Sequence, residues 1–150
     1  MLRIGDAAPE FELPDQDARP VRLSQRLAHG PVLLYFYPAD FTPVCTREAC
    51  GFRALQPQLA QRGAAIIGVS PQDSTSHARF RQRHGLPFTL LSDPEKRVIH
   101  AYGCDGPLGF GVRRVSYLIG SNGRIQARVH AALRVNRHLE LAGNWLKSAE

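Results

Sequence analysis

The feature that most constrains the fold is an unbroken apolar run, Val32-Leu33-Leu34-Tyr35-Phe36-Tyr37, cut off by Pro38 and followed closely by Thr42-Pro43. Six apolar residues without polar alternation are the pattern of a strand covered on both faces. Pro38 cannot donate to a sheet ladder, so the strand is expected to end there. Thr42 suits a helix N-cap, and Pro43 suits the first helical position, where its missing N–H costs nothing. The resulting helix carries Cys45 in its first turn and Cys50 five residues later. Phe52, Leu55 and Leu59 give it an apolar stripe, and Pro57 is expected to kink or restart it.

The other elements arrange themselves around this unit. Phe11-Glu12-Leu13 and Val21-Arg22-Leu23 flank a polar turn and read as an N-terminal β-hairpin. Ser24 is expected to cap one helical turn ending near Ala28. Gly63 closes the long helix, and Ala64-Ala65-Ile66-Ile67-Gly68-Val69 is a second buried strand, which makes a βαβ unit with a right-handed crossover. A polar, basic helix over residues 74–84 stops at Gly85, and Phe88-Thr89-Leu90-Leu91 forms a short strand. Asp93-Pro94 opens a further helical turn. Residues 103–111, with four glycines and one proline, form a loop. Val115-Ser116-Tyr117-Leu118-Ile119 and Ile125-Gln126-Ala127-Arg128-Val129 then read as a hairpin joined through Asn122-Gly123, and Asn136 is expected to cap a last helix. This order predicts an α/β fold: one mixed central sheet with helices on both faces and an N-terminal β-hairpin, best matched by a thioredoxin-like core. Residues 1–150 are expected to form a single domain, since a chain of this length buries roughly 70% of its unfolded surface.

Composition excludes several function classes. The net charge of +6 comes from 17 arginines and 2 lysines scattered along the chain, with only a modest cluster at Arg79, Arg81 and Arg83. That is a solvated basic surface rather than a concentrated nucleic-acid footprint. No apolar run approaches the ~20 residues of a membrane span. The N-terminal Met1-Leu2-Arg3-Ile4-Gly5-Asp6 has no apolar leader core, so a cytoplasmic location is expected. The six histidines fall in no metal or triad spacing and read as surface or core residues, so neither a metal nor a cofactor is expected.

Three cysteines, Cys45, Cys50 and Cys104, are too few for a disulfide scaffold, and their spacing fits no common zinc site. Two of them lie close together, which points to redox or nucleophilic chemistry. Cysteine attacks as thiolate, and the unpaired N–H groups and partial positive charge of a helix N-terminus favour that form. Thr42 can offer its hydroxyl to the sulfur or to a substrate oxygen. On these grounds alone a turnover enzyme, a redox sensor that passes oxidation to a partner and a basic binding module with inert thiols all stay open.

The string Pro38-x-x-x-Thr42-x-x-Cys45 narrows the choice, because it resembles the active-site signature of the peroxiredoxins, thiol peroxidases of thioredoxin fold. Phe36-Tyr37-Pro38, Thr42-Pro43-x-Cys45-Thr46 and Ala49-Cys50 are similar to the bacterioferritin-comigratory, Q-type branch. The likeness extends to Gly5-Asp6-x-Ala8-Pro9-x-Phe11, Leu90-Leu91-Ser92-Asp93 and Arg114-Val115-Ser116-Tyr117-Leu118-Ile119. The resemblance implies that Cys45 is the peroxidatic thiolate and Cys50 the resolving thiol, with Cys104 a bystander. Thr42 and Arg114 would hold the sulfur and the peroxide oxygens, and Pro38 would shield the pocket. Arg113 competes with Arg114 on chemistry, and the spacing to Ser116 in the resemblance favours Arg114. Glu48 either orients that arginine or is a first-turn acid favoured by the helix dipole. The implied substrates are hydrogen peroxide and organic hydroperoxides, the implied reductant is thioredoxin or glutaredoxin, and the implied state is a monomer with no nucleic-acid or membrane partner.

Overall fold

The computed structural model describes residues 1–148. Strands β1 (Glu12–Pro14) and β2 (Pro20–Arg22) pair antiparallel as the expected hairpin and lead into a short helix, α1 (Leu23–Leu27). Ser24 lies inside this helix and does not cap it; its N–H is taken instead by the Glu10 carboxylate at 3.1 Å. Strand β3 (Val32–Phe36) is buried at every residue. It is followed by α2 (Pro43–Gln61), β4 (Ala65–Ser70), α3 (Ser74–His84), β5 (Thr89–Ser92) and α4 (Arg97–Ala101). Strands β6 (Val115–Ile119) and β7 (Ile125–His130) and helix α5 (Val135–Ser148) complete the chain.

The central sheet has the order β5-β4-β3-β6-β7. Strand β3 pairs parallel with β4 and antiparallel with β6, in registers that set Phe36 beside Val69 on one side and Val115 on the other. The mixed sheet expected of a thioredoxin-like core is therefore present, and the unbroken apolar character of β3 suits its place at the centre, where both faces are covered. Val32, Leu34 and Phe36 point into a core closed by the N-terminal hairpin, α1 and α4. Leu33, Tyr35 and Tyr37 point into a second core closed by α2, α3 and α5.

Two further local expectations fail for physical reasons. Helix α2 runs through Pro57 without a break. The proline gives up a single ladder bond to the Arg53 carbonyl, while Phe52 and Leu59 on either side are both buried against the same sheet and hold the helix to it. Asn136 does not cap α5, because the helix already includes Val135, whose side chain is buried. Within α2, Gly51 matters for assembly. A Cβ there would come within 2.7 Å of Leu139, so the bare backbone lets α5 approach α2 closely. Among the described residues no helix is long and apolar enough to cross a membrane.

Phe52 docks α2 on the sheet, its ring 4.8 Å from that of Tyr35 and its side chain fully buried. Phe52→Ala is expected to lower the unfolding free energy by about 3–5 kcal/mol. Urea titration followed by circular dichroism measures this, and a loss below about 1 kcal/mol would mean that α2 is held by other contacts.

Candidate active site

Cys45 is the third residue of α2, after Thr42 at the N-cap and Pro43 at the first helical position. The first bond of the helix runs from the Thr46 N–H to the Thr42 carbonyl at 2.9 Å. The N–H groups of Val44 and Cys45 therefore belong to the first-turn donors that have no partner within the helix. Thr42 has the extended backbone of an N-cap, but its side chain does not accept from the helix; its hydroxyl donates to the Ala39 carbonyl at 3.0 Å and closes the turn.

The Cys45 thiol is buried, and the Arg114 guanidinium reaches it. Arg114, immediately before β6, donates from Nη2 to Cys45 Sγ at 3.1 Å, from Nη1 to Glu48 Oε1 at 2.6 Å, and from Nε to the Ala132 carbonyl at 2.9 Å. All three nitrogens of the guanidinium are thus engaged, and the plane can lie in only one orientation. Arg113 turns elsewhere, donating from Nε to the Asp105 carbonyl at 2.8 Å. Neighbours along an extended chain face opposite sides of the sheet, which separates the two arginines that chemistry alone leaves equivalent. Burial disfavours the charge on Arg114, but the Glu48 carboxylate and the Cys45 sulfur more than offset this and raise its pKa.

Glu48 lies one helical turn beyond Cys45, so both face Arg114. Burial pushes its carboxyl up to about 7, against the pull of Arg114. Only Oε1 is hydrogen-bonded; Oε2 is buried without a hydrogen-bond partner and lies 3.7 Å from His138 Nδ1. His138 and Ser116 are the side chains that reading the sequence misses. His138 Nε2 lies 2.8 Å from the Ala131 carbonyl, which can only accept, so this nitrogen carries the proton. Nδ1 then accepts from the Ser116 hydroxyl at 2.7 Å. Burial, reinforced by the charges of Arg114 and Arg137, holds the imidazole down to about 4. No local spacing connects a histidine in α5 to a glutamate in α2; the close approach at Gly51 does.

The remaining residues singled out from the sequence divide cleanly. Pro38 is half-buried and lines a cleft of 370 Å³ together with Phe110, Val112, Arg114, His130 and Ala132. Cys50 is half-buried further along α2, in the same unbroken helix as Cys45, and both are free thiols. Cys104 is fully buried in the core on the opposite face of the sheet, and burial pushes its thiol up to about 12.

Glu48 and His138 give opposite pH dependences to folding. The Glu48 carboxyl is raised from 4.5 to about 7, so its stabilising contribution is complete below pH 4.5 and is lost as pH rises through 7. The His138 imidazole is lowered from 6.5 to about 4, so its effect runs the other way: folding is penalised below the unfolded value of 6.5, and increasingly so as pH falls toward 4. The two slopes oppose each other between pH 4.5 and 6.5. Glu48→Gln is therefore expected to leave a protein that gains stability with pH in this window, and His138→Asn one that loses it, by on the order of 1–3 kcal/mol each. Urea midpoints at half-unit pH steps measure both, and parallel curves for the two variants would contradict the assignment.

Comparison with known proteins gives this geometry a lineage. Residues 4–128 match the model of the AhpC/TSA family. The chain is 41% identical to the chloroplastic peroxiredoxin Q of Arabidopsis thaliana, covering 97% of this chain and 67% of that one. It is 38% identical to peroxiredoxin Bcp of Escherichia coli K12, covering 97% and 96%. It thus spans about two thirds of the length of chloroplastic relatives and nearly all of the bacterial one. The crystal structure of peroxidoxin BcpB from Mycobacterium tuberculosis superposes with a TM-score of 0.93 at 34% identity, covering 100% and 99% of the two chains. A cysteine-to-serine mutant of Xylella fastidiosa PrxQ superposes at 0.91 with 27% identity, covering 100% and 99%. The chain belongs to the AhpC/TSA family and, within it, to the peroxiredoxin Q and Bcp branch of thiol peroxidases.

Proposed function

We propose that the protein reduces hydrogen peroxide and organic hydroperoxides through a sulfenic acid on Cys45, that Cys50 resolves this as an intramolecular disulfide, and that thioredoxin or glutaredoxin restores the dithiol. The observation that carries the proposal is the Arg114 guanidinium 3.1 Å from a buried cysteine sulfur in the first turn of a helix. A cation lies against a thiol in a helical first turn, a setting suited to a cysteine nucleophile.

In the first step the Cys45 thiolate gives an electron pair to the distal peroxide oxygen. The S–O bond forms, the O–O bond breaks, and the leaving alkoxide or hydroxide takes a proton to become alcohol or water. Arg114 and the first-turn N–H groups offset the negative charge moving from sulfur onto oxygen, which is the role of a preorganised oxyanion site. Thr42 is assigned the peroxide oxygens, its hydroxyl leaving the Ala39 carbonyl to reach them. Glu48 aligns Arg114 through the 2.6 Å ion pair. Pro38 keeps bulk water from the sulfur, and the apolar lining of the neighbouring cleft supports access for an alkyl chain.

In the second step the Cys50 sulfur displaces the sulfenic oxygen as water and the disulfide forms. Residues five apart on an ideal helix have Cα atoms about 8.6 Å apart, whereas a disulfide rarely spans more than ~7 Å. The start of α2 must therefore unwind before the two sulfurs can bond. In the last step a dithiol partner reduces the disulfide by exchange, restoring both thiols and leaving its own pair oxidised.

Peroxide consumption coupled to thioredoxin and its reductase tests the whole scheme. Cys45→Ser is expected to abolish turnover. Cys50→Ser should still oxidise once but stall in the coupled assay, and Arg114→Gln should lower kcat/KM by about 100-fold. Full coupled turnover by Cys50→Ser would remove that residue from its role. Hydrogen exchange separately reads the helix: protection over residues 43–50 should fall in the disulfide form, and equal protection in both redox forms would overturn the unwinding step.

A further inference from the structure

A second buried polar network lies beside the Cys45 turn and has no part in the scheme above. Asp40 follows Pro38 by two residues and precedes Thr42 by two, so it sits in the middle of the turn that leads into α2. Its side chain is completely inaccessible, and so is that of His77 in α3. His77 Nδ1 lies 2.7 Å from Asp40 Oδ2, and His77 Nε2 lies 3.0 Å from the Leu91 carbonyl. The carboxylate and the carbonyl both accept, so each ring nitrogen of His77 is placed to donate. Asp40 also receives the Tyr37 hydroxyl on Oδ1 and the Ser76 hydroxyl on Oδ2, each at 2.7 Å. The Asp40 N–H donates to Gln72 Oε1 at 2.9 Å, and Ser70 Oγ lies 3.5 Å from His77 Nε2.

The next residue carries the cost of this turn. Phe41 has φ of +64°, a left-handed backbone that a bulky L-residue adopts only under strain. Its ring packs edge-on against Phe80, with centroids 5.2 Å apart. His77 and Phe80 are three apart on α3 and so share one face of the helix. That face grips two successive residues of the turn, Asp40 through its hydrogen bond with His77 and Phe41 through ring packing. The Asp40 network also ties together the ends of β3, β4 and β5 through Tyr37, Ser70 and the Leu91 carbonyl, at the carboxyl edge of the parallel strands.

We propose that Asp40 and a cationic His77 are a positioning pair that clamps the 38–42 turn and so holds Cys45 at the helix start under Arg114. Neither residue touches the sulfur or a substrate. The pair acts on the equilibrium between the intact first turn of α2, in which Cys45 meets peroxide, and the unwound turn, in which Cys50 reaches Cys45. The inference rests on the thiol-peroxidase reading for its kinetic consequence, but not for the state of the pair itself. Breaking the clamp on one side leaves a buried charge without its partner, whereas replacing both sides with neutral groups does not.

The test compares the intact protein with His77→Gln, Asp40→Asn and the double variant. Single-turnover peroxide oxidation of Cys45 is expected to slow about 10-fold in His77→Gln, while formation of the Cys45–Cys50 disulfide from the sulfenic acid becomes faster. A purely structural role would not move these two rates in opposite directions. The double variant should recover most of the oxidation rate. Tyr117→Phe, on the opposite face of the sheet, is the control for lost stability and should leave both rates unchanged. Two readouts need no peroxide. Nitrogen-15 NMR of the wild type at pH 7 should show both His77 ring nitrogens protonated, and iodoacetamide should alkylate Cys45 about 10-fold more slowly in His77→Gln. A neutral His77 ring, strictly additive single and double variants, or alkylation equal to wild type would each overturn the clamp. A wild type that consumes no peroxide would instead overturn the peroxidase reading, with NMR and alkylation still deciding the pair.

Discussion

The contact between the Arg114 guanidinium and the Cys45 sulfur is the interaction on which the arrangement of the site depends. A single cation spans the sheet-to-helix gap: one nitrogen on the sulfur, one on the Glu48 carboxylate, one on the backbone at Ala132. These partners come from different parts of the fold, so the guanidinium is fixed only when α2, β6 and the segment after β7 are all in place. Glu48 keeps the charge of Arg114 compensated inside a buried site. His138, from α5, braces the Ala131–Ala132 backbone that receives the third arm. The site is therefore a property of the assembled sheet and not of the cysteine-bearing loop alone.

In the proposed cycle the same helix start faces two demands that oppose each other. To activate a thiol it must be wound, because the unpaired N–H groups and the dipole exist only in an ordered first turn. To let Cys50 reach Cys45 it must unwind, because a continuous α-helix keeps residues five apart beyond disulfide reach. Restraints surround this turn. Thr42 ties it locally through Ala39, while Asp40 and Phe41 tie it to α3. Phe41 does so in a left-handed backbone conformation.

Much of this can be read from the residues alone. The apolar run 32–37, its stop at Pro38 and the Thr42-Pro43 helix start are local signals, and the central strand and α2 appear where they require. Gly85 ends α3 in a left-handed conformation, and Asn122-Gly123 joins β6 to β7, both as turn chemistry demands. The misses share a cause. Ser24 loses its capping role to Glu10, fourteen residues away, and Pro57 is overridden by the burial of Phe52 and Leu59. The histidines look featureless in sequence because the partners of His77 and His138 lie on other elements. In each case a long-range contact outweighs a local preference of about 1–3 kcal/mol.

Local chemistry along the chain is enough to determine the strand–turn–helix unit, the position of Cys45 in a helical first turn, and the spacing that keeps Cys50 out of reach while that turn is wound. These are matters of backbone periodicity and of what proline and threonine do at helix starts, and they hold over a dozen neighbouring residues. Which arginine meets the sulfur is decided elsewhere, in the packing of the whole molecule. So are the inward-facing Glu48 side chain, the place of Cys104 in the opposite core, and the two buried histidines beside the site. Each of those outcomes depends on which face of the sheet a side chain takes and on how closely α3 and α5 approach it. Strand register and helix packing set both, and these are fixed only when the whole sheet has formed.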